Sequence, residues 1–541
     1  MLTTLLRKGL NLVKLDIKQL EGYAYGAVQP SITIRFHGDT GEEENLTAGL
    51  KNIYEKIPRF EDENRFSTND QDLNQHEAQA LCVTILDTLN HYFGDKRFSP
   101  IQIFQDDKAL CFSLPTLSTE MSRFNMSLLQ TLLKIVSEPR PKNQIIDLLE
   151  TQKTLVRKLF PSGTNAGNFL VAAAKLKIPF KIFSRNYIIF GYGAGSRIFN
   201  SSITDEESAI GVRIAKSKAA TNSLLKMSGI PVAEQARVRS IDDAIIFVNN
   251  FGYPVVLKPE SEDQGRGVFA NIVGEAELRD CWSLLSKGPY KSVLIEKHLP
   301  GDIYRINTIN GSVVRAVKRV HPFVCGDGVS TIEQLISEIN EEPIRTGDDT
   351  VSEFIDIDDD VTRTLAKESL TIHSILGKNE TLHITSTCRS FNSDDFIDKL
   401  HTDNRDLCEK VSRIMRLNVT GIDVISVDAA DSWRSRGFHI CEVNAQPQLG
   451  DTHINIYADF LMQKLKLGTS IKLLISLEGQ EKFDVFDPLC DSVTINLTPT
   501  ELLKNGSPVQ YFDYLEIQDE ITDEDKRKIR KMLISIKPEI C

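Results

Sequence analysis

The stretch that most limits what this chain can fold into is Gly252 to Val268, GYPVVLKPESEDQGRGV. Pro254 to Leu257 is a short apolar run with the β-branched residues of a buried strand. Lys258 ends the run, and Pro259, which cannot donate to a sheet ladder, stops the strand there. Polar residues follow, then Gly265 and Gly267 on either side of Arg266. Glycines without a β-carbon let backbone N–H groups close on a ligand, so a strand-end lysine beside a glycine loop suits a triphosphate. The same residues also make an ordinary hairpin turn, and the stretch alone leaves both readings open.

At 541 residues the chain exceeds one ordinary core, so roughly two to four domains are expected. A net charge of −12 argues against nucleic-acid binding driven by bulk electrostatics. The nine cysteines are scattered without a C-x-x-C pair, which fits reduced thiols and a cytoplasmic location better than a disulfide framework. No apolar run reaches the length of a membrane span, so no membrane partner is expected. The opening MLTTLLRKGLNLVKL is basic and mildly amphipathic but lacks a cleavage site, and reads as an N-terminal helix or strand.

Residues 1–160 read as an N-terminal α/β domain. Ser31 to Phe36 alternates at period two, Ile101 to Phe104 and Leu110 to Leu114 are further strands, and His76 to Phe93 and Met126 to Ile135 have helical spacing. Gly38 to Asn45 and Glu61 to Asn74 read as polar loops. HEAQA at His76 lacks the second histidine of a zinc-protease helix and reads as a surface helix start. Glu138 to Lys142, EPRPK, is the best early linker. GYGAGS at Gly191 invites a dinucleotide-binding reading, but no apolar helix face follows at Arg197 to Ser202, and a tight loop is preferred. Ser217 is placed to cap a helix running to Met227, and Asn310-Gly311 marks a hairpin. The acidic run Asp348 to Asp360, inside an insertion at about 325–400, reads as solvated loops. Residues 468–541 form a short C-terminal appendage without a motif.

Chemistry gathers on two later strands, Gly421 to Val427 and Gly437 to Asn444. Asp423 lies on the first; Glu442 and Asn444, two residues apart, face the same way on the second. Oxygen-only donors without histidine or thiolate suit magnesium, which takes its remaining ligands from water and phosphate. A polar strand end at a sheet edge fits them as well.

Taken with Lys258, the glycine loop and Glu296, these strands resemble the ATP-grasp superfamily, and within it the ATP-grasp half of cyanophycin synthetase. The resemblance runs from about Pro161 to Phe460, through IAKSKAATNSLLKMSGIPV, GYPVVLKPESEDQGRGV, VLIEKHLPGDIYRI, HPFVCGDGVSTIEQLI, VTGIDVISVD and ICEVNAQP. It implies an α+β chain with an ATP-grasp ligase domain at 161–467, its lid at about 218–297. Lys218 and Lys258 match the ATP-contacting lysines, and Gln264, Gly265, Arg266 and Gly267 the loop over the triphosphate. Glu296 with Lys297, His298 and Leu299 would hold the adenine edge, and Asp302 the ribose or a neighbouring loop. Arg305 and Arg319 match arginines facing the transferred phosphoryl group. Asp423, Glu442 and Asn444 match the ligands of two Mg2+ ions, with Mn2+ as an alternative.

The implied reaction is ATP-dependent ligation: a carboxylate attacks the γ-phosphorus, and an amine displaces phosphate from the acyl-phosphate. Partners would be small carboxylate and amine substrates, in a homo-oligomer. There is no G-x-x-x-x-G-K-[ST], so the P-loop half of cyanophycin synthetase is missing from this sequence. Ser390 and Phe391 replace a glycine pair, and Gln448 replaces the glycine after the EVN-x-x-P motif. Both changes fall on the acceptor side, where Arg389 offers a carboxylate fork. A single amide bond between amino-acid-like substrates is therefore expected before polymer synthesis. The competing readings are a cyanophycin synthetase-like or dipeptide-extending ligase, a non-catalytic ATP-binding module, and a dehydrogenase built on GYGAGS.

Overall fold

The computed structural model describes residues 15–20, 29–36, 43–58, 65–66, 76–95, 97–106, 109–136, 142–156, 163–184, 186–260, 267–290, 292–346, 355–385, 392–450, 454–465, 470–479, 486–509, 512–533 and 539–540. Gln264, Gly265, Arg266, Arg389, Ser390, Phe391, the linker at 138–141 and most of the acidic run fall outside these residues. The chain divides into two compact units: residues 1–201 with 453–541, and residues 202–452.

In the first unit Ser31–Phe36 pairs antiparallel with Leu15–Leu20 and with Ala109–Pro115, and Gln102–Asp106 completes the sheet. Its period-two pattern sends Ile32, Ile34 and Phe36 into a core shared with the helices Glu43–Lys56, Glu77–Tyr92 and Thr119–Val136. Two expectations are corrected here. The loop expected at 38–45 already turns helical at Glu43, and the helix after His76 is buried on nearly every side from Ala78 to Asn90.

Helix Thr164–Lys175 groups with this unit through an aromatic cluster of Phe169, Phe190, Phe199, Tyr457 and Phe460, whose centroids lie 4.9 to 6.3 Å from Phe169 or from one another. GYGAGS forms a single 3-10 turn, Gly193–Gly195, followed by the strand Arg197–Asn200, so no helix N-terminus faces a pyrophosphate there. The C-terminal residues build a parallel sheet in the order Ser492–Leu497, Ser470–Ile475, Tyr514–Ile517, Glu539–Ile540, with Pro499–Asn505 and Asp523–Met532 as helical crossovers.

The second unit holds two larger sheets, besides the two-stranded pair Phe323–Cys325 and Thr381–His383. The first runs Phe269–Ile272, Val255–Pro259, Val293–Lys297, Gln235–Val238 and is antiparallel throughout. Helices Ile241–Phe251 and Glu275–Lys287 bury one face of it around Phe247, Leu257, Leu278 and Ile295. A reciprocal cap between Ser240 and Asp243 starts the first of these helices. The second sheet runs Asn392–Asp395, Ser312–Val320, Asp302–Ile309, Val419–Ser426, Phe438–Asn444. Helices Lys218–Met227 and Thr402–Met415 join its apolar side in one core, which includes Leu225, Ile306, Val411, Ile422 and Val443. The Asn310-Gly311 hairpin has positive φ at both residues (49° and 78°), as a two-residue turn of this hand requires.

GDIYR lies mostly in the strand that begins at Asp302, which puts Arg305 inside the sheet. The insertion has its own helices, Ile332–Thr346 and Asp359–Lys367, around Val324, Ile332, Val361 and Leu365, and the second of them begins within the acidic run expected as loops. Asp358, at the end of the acidic run, accepts from the Asp360 and Val361 amides and caps the second helix.

Candidate functional site

The polar side of the second sheet is set by register. Residues opposite one another across an antiparallel pair point to the same side, and Val317, Arg305, Asp423 and Glu442 form one such row across four strands. The next row is Arg315, Asn307, Gly421 and Asn444. On the opposite side Tyr304, Ile306, Ile422, Val424, Ile440 and Val443 are core.

Strict alternation would put Glu442 on the side of Ile440. A bulge prevents this: Val424 pairs with Ile440 while the adjacent Asp423 pairs with Glu442, leaving Cys441 as the extra residue. The bulge turns Glu442 onto the polar side and keeps Ile440 and Val443 in the core. Glu442 and Asn444 do share a face, as their spacing predicts.

Asp423 is the hub. Its carboxylate accepts from Arg305 Nε (2.7 Å) and Nη2 (2.9 Å), has Arg319 Nη2 at 3.6 Å, and receives Asn444 Nδ2 at 3.3 Å. Gly421 makes this possible, because a β-carbon there would stand 2.6 Å from Arg305 Nη1 and 2.7 Å from Pro447 Cβ. Lys218, at the start of its helix just after the Ser217 cap, reaches Glu442 with Nζ 3.5 Å from Oε1.

The first sheet contributes Lys258. Its Nζ lies 2.6 Å from Glu296 Oε1 on the neighbouring strand, and both residues are buried. Gln235 also donates to Glu296. Burial alone would push the Lys258 ammonium down, but the attraction of Glu296, with Glu442 adding to it, holds it above the usual lysine range. Burial, the largest influence, pushes the Cys441 thiol up, so the bulge residue is an inert neutral thiol, not a nucleophile.

The remaining expected residues are placed as follows. Lys297 Nζ donates to the carbonyls of Tyr253 (2.6 Å) and Gly252 (3.2 Å), and its backbone amide donates to Glu234. The His298 amide donates to the Pro254 carbonyl, while burial holds its imidazole below the ordinary value. Leu299 follows in the same segment. Asp302 pairs with Lys318 at 2.6 Å, apart from the Asp423 hub. Gly267 adopts φ +67°, and a β-carbon there would come within 2.9 Å of the Tyr290 hydroxyl.

Among the described residues no three or more His, Cys, Asp or Glu side chains stand together as a metal nest. The candidate set is two carboxylates and one amide in adjoining rows, all oxygen donors. That chemistry fits Mg2+, which needs few protein ligands when phosphate oxygens complete its shell. Sequence reasoning missed Arg315 and Asn307, which carry no motif and are picked out only by their rows.

The unit thus carries a buried lysine, Lys258, on its first sheet, a helix lysine, Lys218, at Glu442, and the carboxylates Asp423 and Glu442 on its second sheet. No protein-family model matches the chain. It is 32% identical over 294 residues to cyanophycin synthetase of Geminocystis herdmanii, covering 53% of this chain and 33% of that protein. Cyanophycin synthetase of Trichormus variabilis is 30% identical over 315 residues, covering 57% and 34%. The glutathione biosynthesis bifunctional protein GshAB of Desulfotalea psychrophila is 26% identical over 289 residues, covering 51% and 37%. The chain therefore spans about a third of the length of these relatives. Among solved structures it is similar to a bifunctional glutathione synthetase from Pasteurella multocida (TM-score 0.41, 16% identity, 80% of this chain and 82% of that one). It is also similar to D-alanine–D-alanine ligase from Bacillus anthracis (TM-score 0.30, 13% identity, 48% and 68%). Over about half its length, then, this chain is similar in sequence to cyanophycin synthetase.

Proposed function

We propose that this chain is an ADP-forming carboxylate–amine ligase that joins small amino-acid-like substrates at ATP's expense. The observation that carries the reading is Lys218 at 3.5 Å from Glu442 beside the Arg305–Asp423–Arg319 group, with the Lys258 ammonium held charged by Glu296. In this cluster four cations face the three carboxylates Glu296, Asp423 and Glu442, which leaves positive charge for an anionic ligand.

In the proposed reaction a substrate carboxylate oxygen attacks the γ-phosphorus and ADP leaves. The amine nitrogen then attacks the acyl carbon, phosphate leaves, and the nitrogen loses a proton. Charge builds on phosphoryl oxygens in the first step, so fixed cations there stabilise the transition state. Lys218 and Lys258 bind and orient the polyphosphate, while Arg305 and Arg319 face the transferred group. Mg2+, held by Asp423, Glu442 and Asn444, would neutralise phosphate charge and align donor and acceptor when bound. By the resemblance, Gln264 to Gly267 would belong to the loop over the triphosphate, where it would keep water from the acyl-phosphate. The Lys297 and His298 amides are engaged within the fold, so the adenine edge is read by the carbonyls of this segment and by Leu299.

ADP release measured across amino acids and acidic dipeptides tests the reading. The expected result is turnover that needs a carboxylate–amine pair, is abolished by EDTA, and falls at least about a thousandfold in Glu442→Ala. Nucleotide binding without substrate-stimulated ADP release would instead mark a non-catalytic ATP-binding module.

A further inference from the structure

The two larger sheets of the second unit are joined from both ends of their strand orders. At one end the Ile440 amide, on the edge strand Phe438–Asn444, donates to the Pro231 carbonyl (2.9 Å). The chain runs on from Pro231 into Gln235–Val238, an edge of the first sheet. At the other end the insertion leaves the second sheet after Val320 and returns as Asn392–Asp395, which pairs with Val317 to Val320 as that sheet's other edge. Its helix Asp359–Lys367 reaches the opposite edge of the first sheet, Phe269–Ile272, and the helix Glu275–Lys287 that follows it.

The insertion's helix uses two faces. Val361 and Leu365, four residues apart, pack in the insertion's own core. Arg363 and Lys367 are displaced from them by two residues, roughly 200° around a helix of 3.6 residues per turn. Arg363 crosses to the first sheet: Nη1 lies 3.0 Å from Glu277 Oε1 and 3.8 Å from Cys281 Sγ, and Cζ sits 5.1 Å from the centroid of the Phe269 ring. Phe269 and Cys281 belong to that sheet's core, so the guanidinium covers the core at its edge. Glu277 grips from the other side. Its Oε1 also meets Lys367 Nζ at 3.0 Å, and its Oε2 accepts the Val273 amide at 3.1 Å. Burial, the largest influence, works against the Glu277 charge, yet the Val273 amide, Lys367 and Arg363 together hold its carboxyl below the usual glutamate range.

A charge-assisted hydrogen bond joined to an aromatic contact, both half-buried, holds more firmly than an exposed ion pair. The grip also falls close to the site, because Phe269 pairs with Leu257, the residue before Lys258. Resting on the ligase reading above, we propose that Arg363 is a positioning residue. By fastening the outer edge of the first sheet to the insertion, it keeps Lys258 in place relative to the Asp423–Glu442 row, so that the insertion sets the affinity for ATP.

The test titrates the full chain with the Mg2+ complex of AMPPNP, an ATP analogue that is not hydrolysed, and follows ADP release against ATP concentration. It compares Arg363→Met, Arg363→Lys, Glu277→Gln and the double variant Arg363→Met with Glu277→Gln. Arg363→Met keeps an apolar stem and removes the charge. It should weaken analogue binding about tenfold, the scale of one lost charge-assisted contact, as the fastened fraction falls from near one to about one in ten. Saturating ATP draws the sheet back, so KM for ATP should rise by that factor with a much smaller change in kcat. Arg363→Lys should recover part of the affinity, since it retains charge without the fork. Glu277→Gln should act in the same direction, and the double variant should lose no more than the worse single one, because both act through one contact. Unchanged affinity in Arg363→Met that stays folded by circular dichroism, or additive losses in the double variant, overturns the inference and leaves Arg363 as a support of the insertion alone. An unaltered protein that does not bind the analogue overturns the ATP-dependent reading itself, a different failure.

Discussion

Asp87 and Asp423 are both buried aspartates gripped by two arginines, yet the second is the more exposed of the two. Asp87, in the middle of helix Glu77–Tyr92, accepts from Arg65 Nε at 3.1 Å and Arg97 Nε at 2.9 Å. Asn90, Ser122, Asn125 and Thr116 bond to one another nearby, and Asp95 takes the Leu117 amide. The side chains of Asp87, Arg97 and Arg65 are 3, 7 and 10% exposed, whereas those around Asp423 run from 13% (Asp423) to 26% (Glu442). The first group is closed on itself and holds a fold together. Asp423, Arg305, Arg319 and Glu442 of the second are more exposed, so a ligand can exchange partners with them. Buried charge alone therefore does not mark a site; buried charge with an open edge does.

The contrast can be broken most directly at the two aspartates. Asp423→Asn should lower ADP release by about a thousandfold or more while the circular-dichroism spectrum stays native. A similar loss of turnover per folded molecule in Asp87→Asn would erase the distinction. Asp87→Ala should leave Arg65 and Arg97 facing each other and cost about 3–5 kcal/mol, read from urea unfolding.

A gentler probe is pH. Burial, the largest influence, pushes the Asp95 carboxyl up to about 7, with the charge of Asp87 adding to it and hydrogen bonds from Thr116, Leu117 and Ser118 opposing it. A carboxyl raised in the folded state holds its proton more tightly folded than unfolded. Its stabilising contribution is therefore complete below the ordinary value of 3.8 and disappears as pH rises through about 7. Urea midpoints should fall between pH 4 and 7.5, and Asp95→Asn should flatten that slope. Lys258 has the same sign, but its contribution lasts until well into alkaline pH, so it adds no slope in that window.

The smallest effect belongs to a third charged group, where Arg363 (3.0 Å) and Lys367 (3.0 Å) of the insertion meet Glu277 on the first sheet's helix. Lys367 is well exposed, and Lys367→Ala should change stability by less than about 1 kcal/mol, a shift visible only in careful melting curves.

Features set by neighbouring residues could be read in the sequence. The strand ending at Lys258-Pro259, the Ser217 cap, the Asn310-Gly311 hairpin and the shared face of Glu442 and Asn444 all follow from local rules. The helix at Asp359–Lys367 was hidden because its acidic start looks like a solvated run until Asp358 is seen as a cap. The spacing of the apolar residues Phe438, Ile440 and Val443 carries a trace of the bulge at Cys441, although that spacing alone does not say which residue is extra.

What the sequence determined by itself is the set of charged and oxygen-bearing side chains and the strands that carry them, because residue type and period fix these within a few positions. Tertiary structure alone decided which of them meet. Register across five strands, the bulge at Cys441 and the glycine at 421 bring Arg305 onto Asp423 and Glu442 into the same row. Pairing between strands more than a hundred residues apart is set by the burial of a common core, which no local stretch of sequence contains.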